Sequence, residues 1–109
     1  MLELLPISEL NPVHVFPLVY RNWQLRFEVG PGDRLALFAN DCLRKERIGE
    51  AAEVLYVWTN LELEWEEHHW LEARLLAAQP TQPGADTRCR TLRVTVNGEP
   101  LMQVDIAAT

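Results

Sequence analysis

The stretch Asn60-Leu61-Glu62-Leu63-Glu64-Trp65-Glu66-Glu67-His68-His69-Trp70 decides the fold class. Leu61, Leu63 and Trp65 alternate strictly with Glu62, Glu64 and Glu66. Period two marks a strand with one buried and one solvated face. The same region carries a competing signal. Thr59-x-x-Glu62 fits a helical capping box, and the Glu-, Leu- and Ala-rich residues that follow are good helix formers. A helical wheel, however, puts Glu72 inside the stripe of Leu61, Trp65, Leu75 and Leu76, with Glu64 at its edge. The strand pattern continues in phase through Leu71, Ala73, Leu75 and Ala77. The spacing therefore predicts two strands joined near Glu67-His68-His69, with a helix over 60–78 as the alternative.

Toward the C-terminus, Gln79 to Thr87 holds two prolines and a glycine and reads as a connector. Leu92, Val94 and Val96 then alternate, Asn97-Gly98 marks a hairpin, and Met102, Val104 and Ile106 alternate again. A plain two-residue turn would pair Val94 with Leu101 and put Met102 and Val104 on the wrong face. Register follows the buried face, so a longer loop or a bulge is expected near Glu99-Pro100, pairing Val94 with Met102 and Leu92 with Val104.

Toward the N-terminus, Val54 to Trp58 is β-branched and aromatic and reads as a strand. Asp41 to Glu53 is polar and reads as a long loop or a short helix through Leu43 to Ile48. Trp23 to Val29 and Arg34 to Asn40 are strands joined by the turn Gly30-Pro31-Gly32-Asp33. Val13 to Tyr20 is extended, and Pro17 assigns it to a sheet edge or an irregular crossing. These elements give a mainly β single domain over 1–109. They fit an antiparallel β-sandwich or a strongly curved sheet of about six or seven strands. An α+β fold with a helix over 60–78 is the alternative.

Composition narrows the function classes. The 109 residues include 16 acids and 10 bases, for a net charge of −6, and 48% are hydrophobic. That is globular, and it argues against nucleic acid, whose binders need a basic patch. Binding to a basic protein surface is permitted. Cys42 and Cys89 lack CxxC spacing and imply no disulfide framework. Met1-Leu2-Glu3-Leu4-Leu5-Pro6 has no basic n-region, and no window is apolar enough to span a membrane. No membrane partner and a cytoplasmic location are expected.

Catalytic patterns are weak. Ser8 is the lone serine and lacks GxSxG context. Gly30-Pro31-Gly32 lacks the Walker pattern and its lysine. Adjacent His68 and His69 point to opposite faces of a strand, so they form no preformed metal site, and HExxH is absent. No cofactor and no metal are expected.

The tryptophans are more informative. Trp23, Trp58, Trp65 and Trp70 are many for this length, and tryptophan is enriched at interfaces. In the strand reading Trp65 faces the core, while Trp58 and Trp70 fall in the opposite phase. An outward pair implies a covered surface: a dimer interface, a partner site or a carbohydrate platform. A second sheet or the N-terminal segment covering them is the other possibility.

The candidate partner-binding residues are thus Trp58, Glu62, Glu64, Glu66, His68 and Trp70. The leading expectation is a non-enzymatic binding or assembly module, self-associating as a homodimer or contacting another protein. A small enzyme or ligand-binding protein with an apolar cavity, using His68, His69, Glu67 and His14, is the second. An acidic inhibitor or immunity-type protein for a basic partner is the third.

Overall fold

The computed structural model describes residues 13–63, 67–85 and 87–108. Nine antiparallel strands lie among them, in two sheets, consistent with a β-sandwich. Sheet A has the order β1 (His14–Tyr20), β2 (Trp23–Val29), β3 (Arg34–Ala39), β4 (Cys42–Ile48). Sheet B joins β5 (Leu55–Glu62), β6 (His68–Leu75), the two-residue β7 (Gln79–Pro80), β8 (Arg88–Val96) and β9 (Glu99–Ala108). Within it β5 pairs β6, β6 and β7 pair β8, and β8 pairs β9. No helix long and apolar enough to cross a membrane occurs among the described residues.

Alternation builds the core. One face of sheet A supplies Leu25, Phe27, Val29, Leu35, Leu37 and Ala39. One face of sheet B supplies Leu55, Val57, Leu61, Leu71, Ala73, Leu75, Leu92, Val94, Val96 and Ile106. Burying each large side chain contributes roughly 1.5–3 kcal/mol. Neither face could be buried alone, so the sheets stack.

The decisive stretch is two strands, not a helix. Residues 60–62 close β5 and 68–75 form β6, with Leu63 N donating to Glu67 O at 2.8 Å between them. The join therefore lies earlier than expected, because His68 and His69 already belong to β6 and pair with Glu62 and Leu61. The inward placement of Trp65 lies outside the described residues.

The C-terminal hairpin resolves its register with a bulge. Asn97 and Gly98 form a two-residue turn with φ of 51° and 83°. Val96 pairs Glu99 and Thr95 pairs Pro100, but Val94 pairs Met102, leaving Leu101 as the extra residue. The bulge restores Met102 and Val104 to the core side.

One expectation fails. Residues 42–48 are neither loop nor helix but β4, the edge strand of sheet A. All seven of its residues are exposed, so no apolar alternation was required. Charged side chains suit such an edge because they oppose pairing with another chain. The turn before it uses Asn40 and Asp41 at φ of 48° and 65°, the left-handed conformation these residues tolerate. β1, containing Pro17, is the opposite edge, as its proline requires.

Arg90 fastens the two sheets at one end. It is 4% exposed. Its guanidinium donates to Leu76 O at 2.9 Å, to Glu53 O at 2.5 Å and to Asp33 Oδ1 at 2.8 Å. These partners lie after β6, before β5 and in the β2–β3 turn. One fork thus joins three connections.

Candidate functional site

Strand alternation that buries Leu55, Val57 and Leu61 turns Tyr56, Trp58 and Glu62 outward. On β6 the same rule turns His68, Trp70, Glu72 and Arg74 to the outer face. Cross-strand pairing sets Tyr56 opposite Arg74, Trp58 opposite Glu72, Asn60 opposite Trp70 and Glu62 opposite His68. Trp58 and Trp70 are therefore diagonal neighbours, a spacing large aromatic rings can bridge. Their centroids are 5.2 Å apart at 62°, an edge-to-face contact. They are 40% and 50% exposed.

Tyr56, Trp58, Trp70, Glu72, Asn97 and Gly98 line an open groove of about 610 Å³. Each wall is held. Asn97 Oδ1 accepts from Trp70 N at 2.8 Å, and Asn97 N donates to Trp70 O at 2.9 Å, so the β8–β9 turn clamps the backbone under the indole. The Tyr56 hydroxyl donates to Glu72 Oε2 at 2.5 Å. That bond to a carboxylate, reinforced by burial and by the Glu72 charge, raises the Tyr56 pKa, while Arg74 opposes the rise. Arg74 lies over the Tyr56 ring at 4.7 Å, and its guanidinium is 3.7 Å from Glu72. Lys45, reaching from β4, places Nζ 5.0 Å from the Trp58 centroid.

The structure brings Trp58, Trp70, Glu62 and His68 to one face. Glu64 and Glu66 lie outside the described residues. His68 is exposed beside Asn60, whose Nδ2 is 2.7 Å from His68 Nδ1. His69 points the other way and is 13% exposed, with the Tyr20 hydroxyl 2.6 Å from Nδ1 and Glu67 3.6 Å from Nε2. His14 is exposed on β1. Among the described residues no group of three or more His, Cys, Asp or Glu is gathered to hold a metal. Both cysteines are free. Trp23, the remaining described tryptophan, is tied down by Nε1 donating to Glu62 O at 3.0 Å and by Arg44 over its ring.

Tyr56, Glu72 and Asn97 are the residues sequence reasoning missed. The first two stand two positions before Trp58 and two after Trp70, so extending the alternation one step each way reaches them. Asn97 was legible only as a turn residue. Its clamp on Trp70 depends on β8 lying beside β6.

Comparisons with protein-family models, with curated proteins and with solved structures found no match.

Proposed function

We propose that this chain is a non-enzymatic binding or assembly module whose contact surface is the outer face of sheet B around Trp58 and Trp70. The observation that carries the proposal is the half-exposed tryptophan pair, held rigidly on paired strands over an open groove. Tryptophan and tyrosine dominate protein-binding energetics because they bury large area at small entropic cost. The 62° tilt between the rings makes a poor flat platform for a sugar and a good cleft for a side chain.

Panning a random peptide library on the protein tests the reading. Counter-selection uses the Trp58→Ala/Trp70→Ala variant, which should fold because both rings are exposed. Clones that require the two tryptophans are expected. Clones that bind both proteins equally, or no clones, would refute it. Light scattering over a concentration range separates self-association from binding to another protein.

A further inference from the structure

We infer that the open ring of Trp70 receives an arginine or lysine side chain from a basic segment of a partner protein. The inference rests on the outer face of sheet B being the contact surface. It names the partner's chemistry. Five of the eight described aromatic rings are capped by the protein's own cations, and of the other three Phe27 is fully buried and Phe16 packs against the core. Arg21 lies 5.9 Å from the Tyr20 centroid, Arg44 5.2 Å from Trp23, and Arg26 4.1 Å from Phe38. Arg74 lies 4.7 Å from Tyr56 and Lys45 5.0 Å from Trp58. All ten Lys and Arg residues are among those described, and none of them caps Trp70. Yet Trp70 is the most exposed aromatic residue described, and indole is the strongest of the three rings for a cation.

Two carboxylates flank the ring, one of them, Glu72, shared with Tyr56 and Arg74. Glu72 follows Trp70 by two positions on the same face of β6, and Glu62 stands diagonally across on β5. The groove that Trp70 shares with Tyr56 and Trp58 thus has π faces and a carboxylate as its main features. The net charge of −6 draws a basic partner from a distance and repels a second copy. The cations that reach this face each have a contact of their own: Arg74 with Tyr56 and Glu72, Lys45 with the Trp58 ring, and Arg93 with Gln103 Oε1 at 3.1 Å.

The test titrates the isotope-labelled protein with acetyl-Gly-Arg-Gly-Arg-Gly-amide while indole N–H resonances are followed by NMR. Matched peptides carry citrulline or leucine in place of arginine. The expected result is saturable movement of the Trp70 signal with the arginine peptide in wild type, and an affinity read from the neighbouring Trp58 indole, present in both proteins, that falls about two- to five-fold in Trp70→Ala, the worth of one exposed cation–π contact. Glu72→Gln should weaken it as well, and added salt should do so in wild type. Binding that survives Trp70→Ala unchanged would be diffuse charge attraction and would overturn the inference. Equal binding of the leucine peptide at the Trp58–Trp70 face would also overturn it while leaving the contact surface intact. If no peptide moves either indole, the inference fails together with the reading beneath it. Concentration-dependent dimerisation through Trp70, with no response to arginine, would assign the face to a second copy and overturn the basic partner.

Discussion

Replacing Arg90 by Met should be the most damaging single polar change in this fold. The side chain is almost fully buried, and its guanidinium serves two main-chain carbonyls at 2.9 and 2.5 Å and the Asp33 carboxylate at 2.8 Å. A fourth contact, to Leu75 O at 3.5 Å, is too long to add much. Hydrogen bonds with a charged partner are each worth roughly 1.5–3 kcal/mol, so the three strong ones sum to roughly 5–9 kcal/mol. Desolvating the guanidinium offsets several kcal/mol of this. The difference, about 3 kcal/mol, is the expected loss for Met, which keeps most of the packing but leaves the carbonyls unpaired. With a urea m-value of roughly 1–3 kcal/mol per molar, the midpoint should fall by about 1–3 M. Lys should rescue little, because a single ammonium cannot reach acceptors arranged for a planar fork. Asp33 is 38% exposed, so Asp33→Asn should cost less, about 1 kcal/mol, since water replaces part of what the carboxylate loses. Equilibrium urea unfolding followed by circular dichroism reads all four proteins. A Met or Lys variant within about 0.5 kcal/mol of wild type would refute the reasoning that the fork holds the three connections together.

Further outcomes follow from the same geometry. Tyr56 should ionise above the ordinary tyrosine range in an absorbance titration, with Glu72→Gln bringing that phase down. Because the folded pKa is raised, the Tyr56–Glu72 bond stabilises the fold fully below the unfolded tyrosine pKa, and the contribution disappears as pH climbs through the folded value. Gly49→Ala should lower stability by about 1–3 kcal/mol in urea, since a Cβ there would lie 2.6 Å from the buried Leu55 Cδ2 and from Glu53 Oε1. Leu55→Ala added to it should cost less than the two single effects summed, because the clash is then relieved. Lys45→Ala should tighten the arginine peptide in the NMR titration by uncovering the Trp58 ring, and a weaker complex would show that Lys45 supports the cleft instead of occupying it.

The fold was largely legible because burial imposes period two wherever one face is covered. Leu25, Phe27 and Val29, or Leu92, Val94 and Val96, announce their strands through that rule, and the conflict between Asn97-Gly98 and Met102 announced the Leu101 bulge. β4 stayed hidden for the same reason inverted: an edge strand with both faces in water has no apolar rhythm to read. Its signal lies in Asn40-Asp41, a turn pair that the strand reading divides, with Asn40 closing one strand and Asp41 opening the polar stretch. The outward phase of Trp58 and Trp70 was readable, and so was their membership of one face. Their contact was not, because it depends on which residues of β6 stand opposite β5, a matter set by the length of the connection and not by either strand. Arg90 was unreadable in principle. It occupies an inward position between Arg88 and Leu92, and only the convergence of three distant connections explains a charge there.

The two outer faces of the sandwich solve the same problem differently, and the difference points to sheet B. On sheet A, Arg26 pairs with Glu28 and Asp41, and Arg34 pairs with Glu28 and Glu46, so the charges form a connected network. The Glu46 and Glu28 contacts outweigh burial and raise the Arg34 pKa. Arg26 also roofs Phe38, leaving that ring half-buried. Exposed Val15, Val19 and Ile48 sit on the edge strands β1 and β4, as isolated apolar surface commonly does. On the outer face of sheet B, Arg74 covers Tyr56 and Lys45 of β4 covers Trp58, while none of the described cations covers Trp70. Trp70 is pinned through its backbone by Asn97, braced against Trp58 at its edge and flanked by Glu72. The backbone beneath the ring is held on both its N–H and its carbonyl, so binding has less main-chain freedom to take. A rigid ring, an acidic border and an open side together are what a cation-bearing partner requires, and sheet A offers no such combination among its described residues.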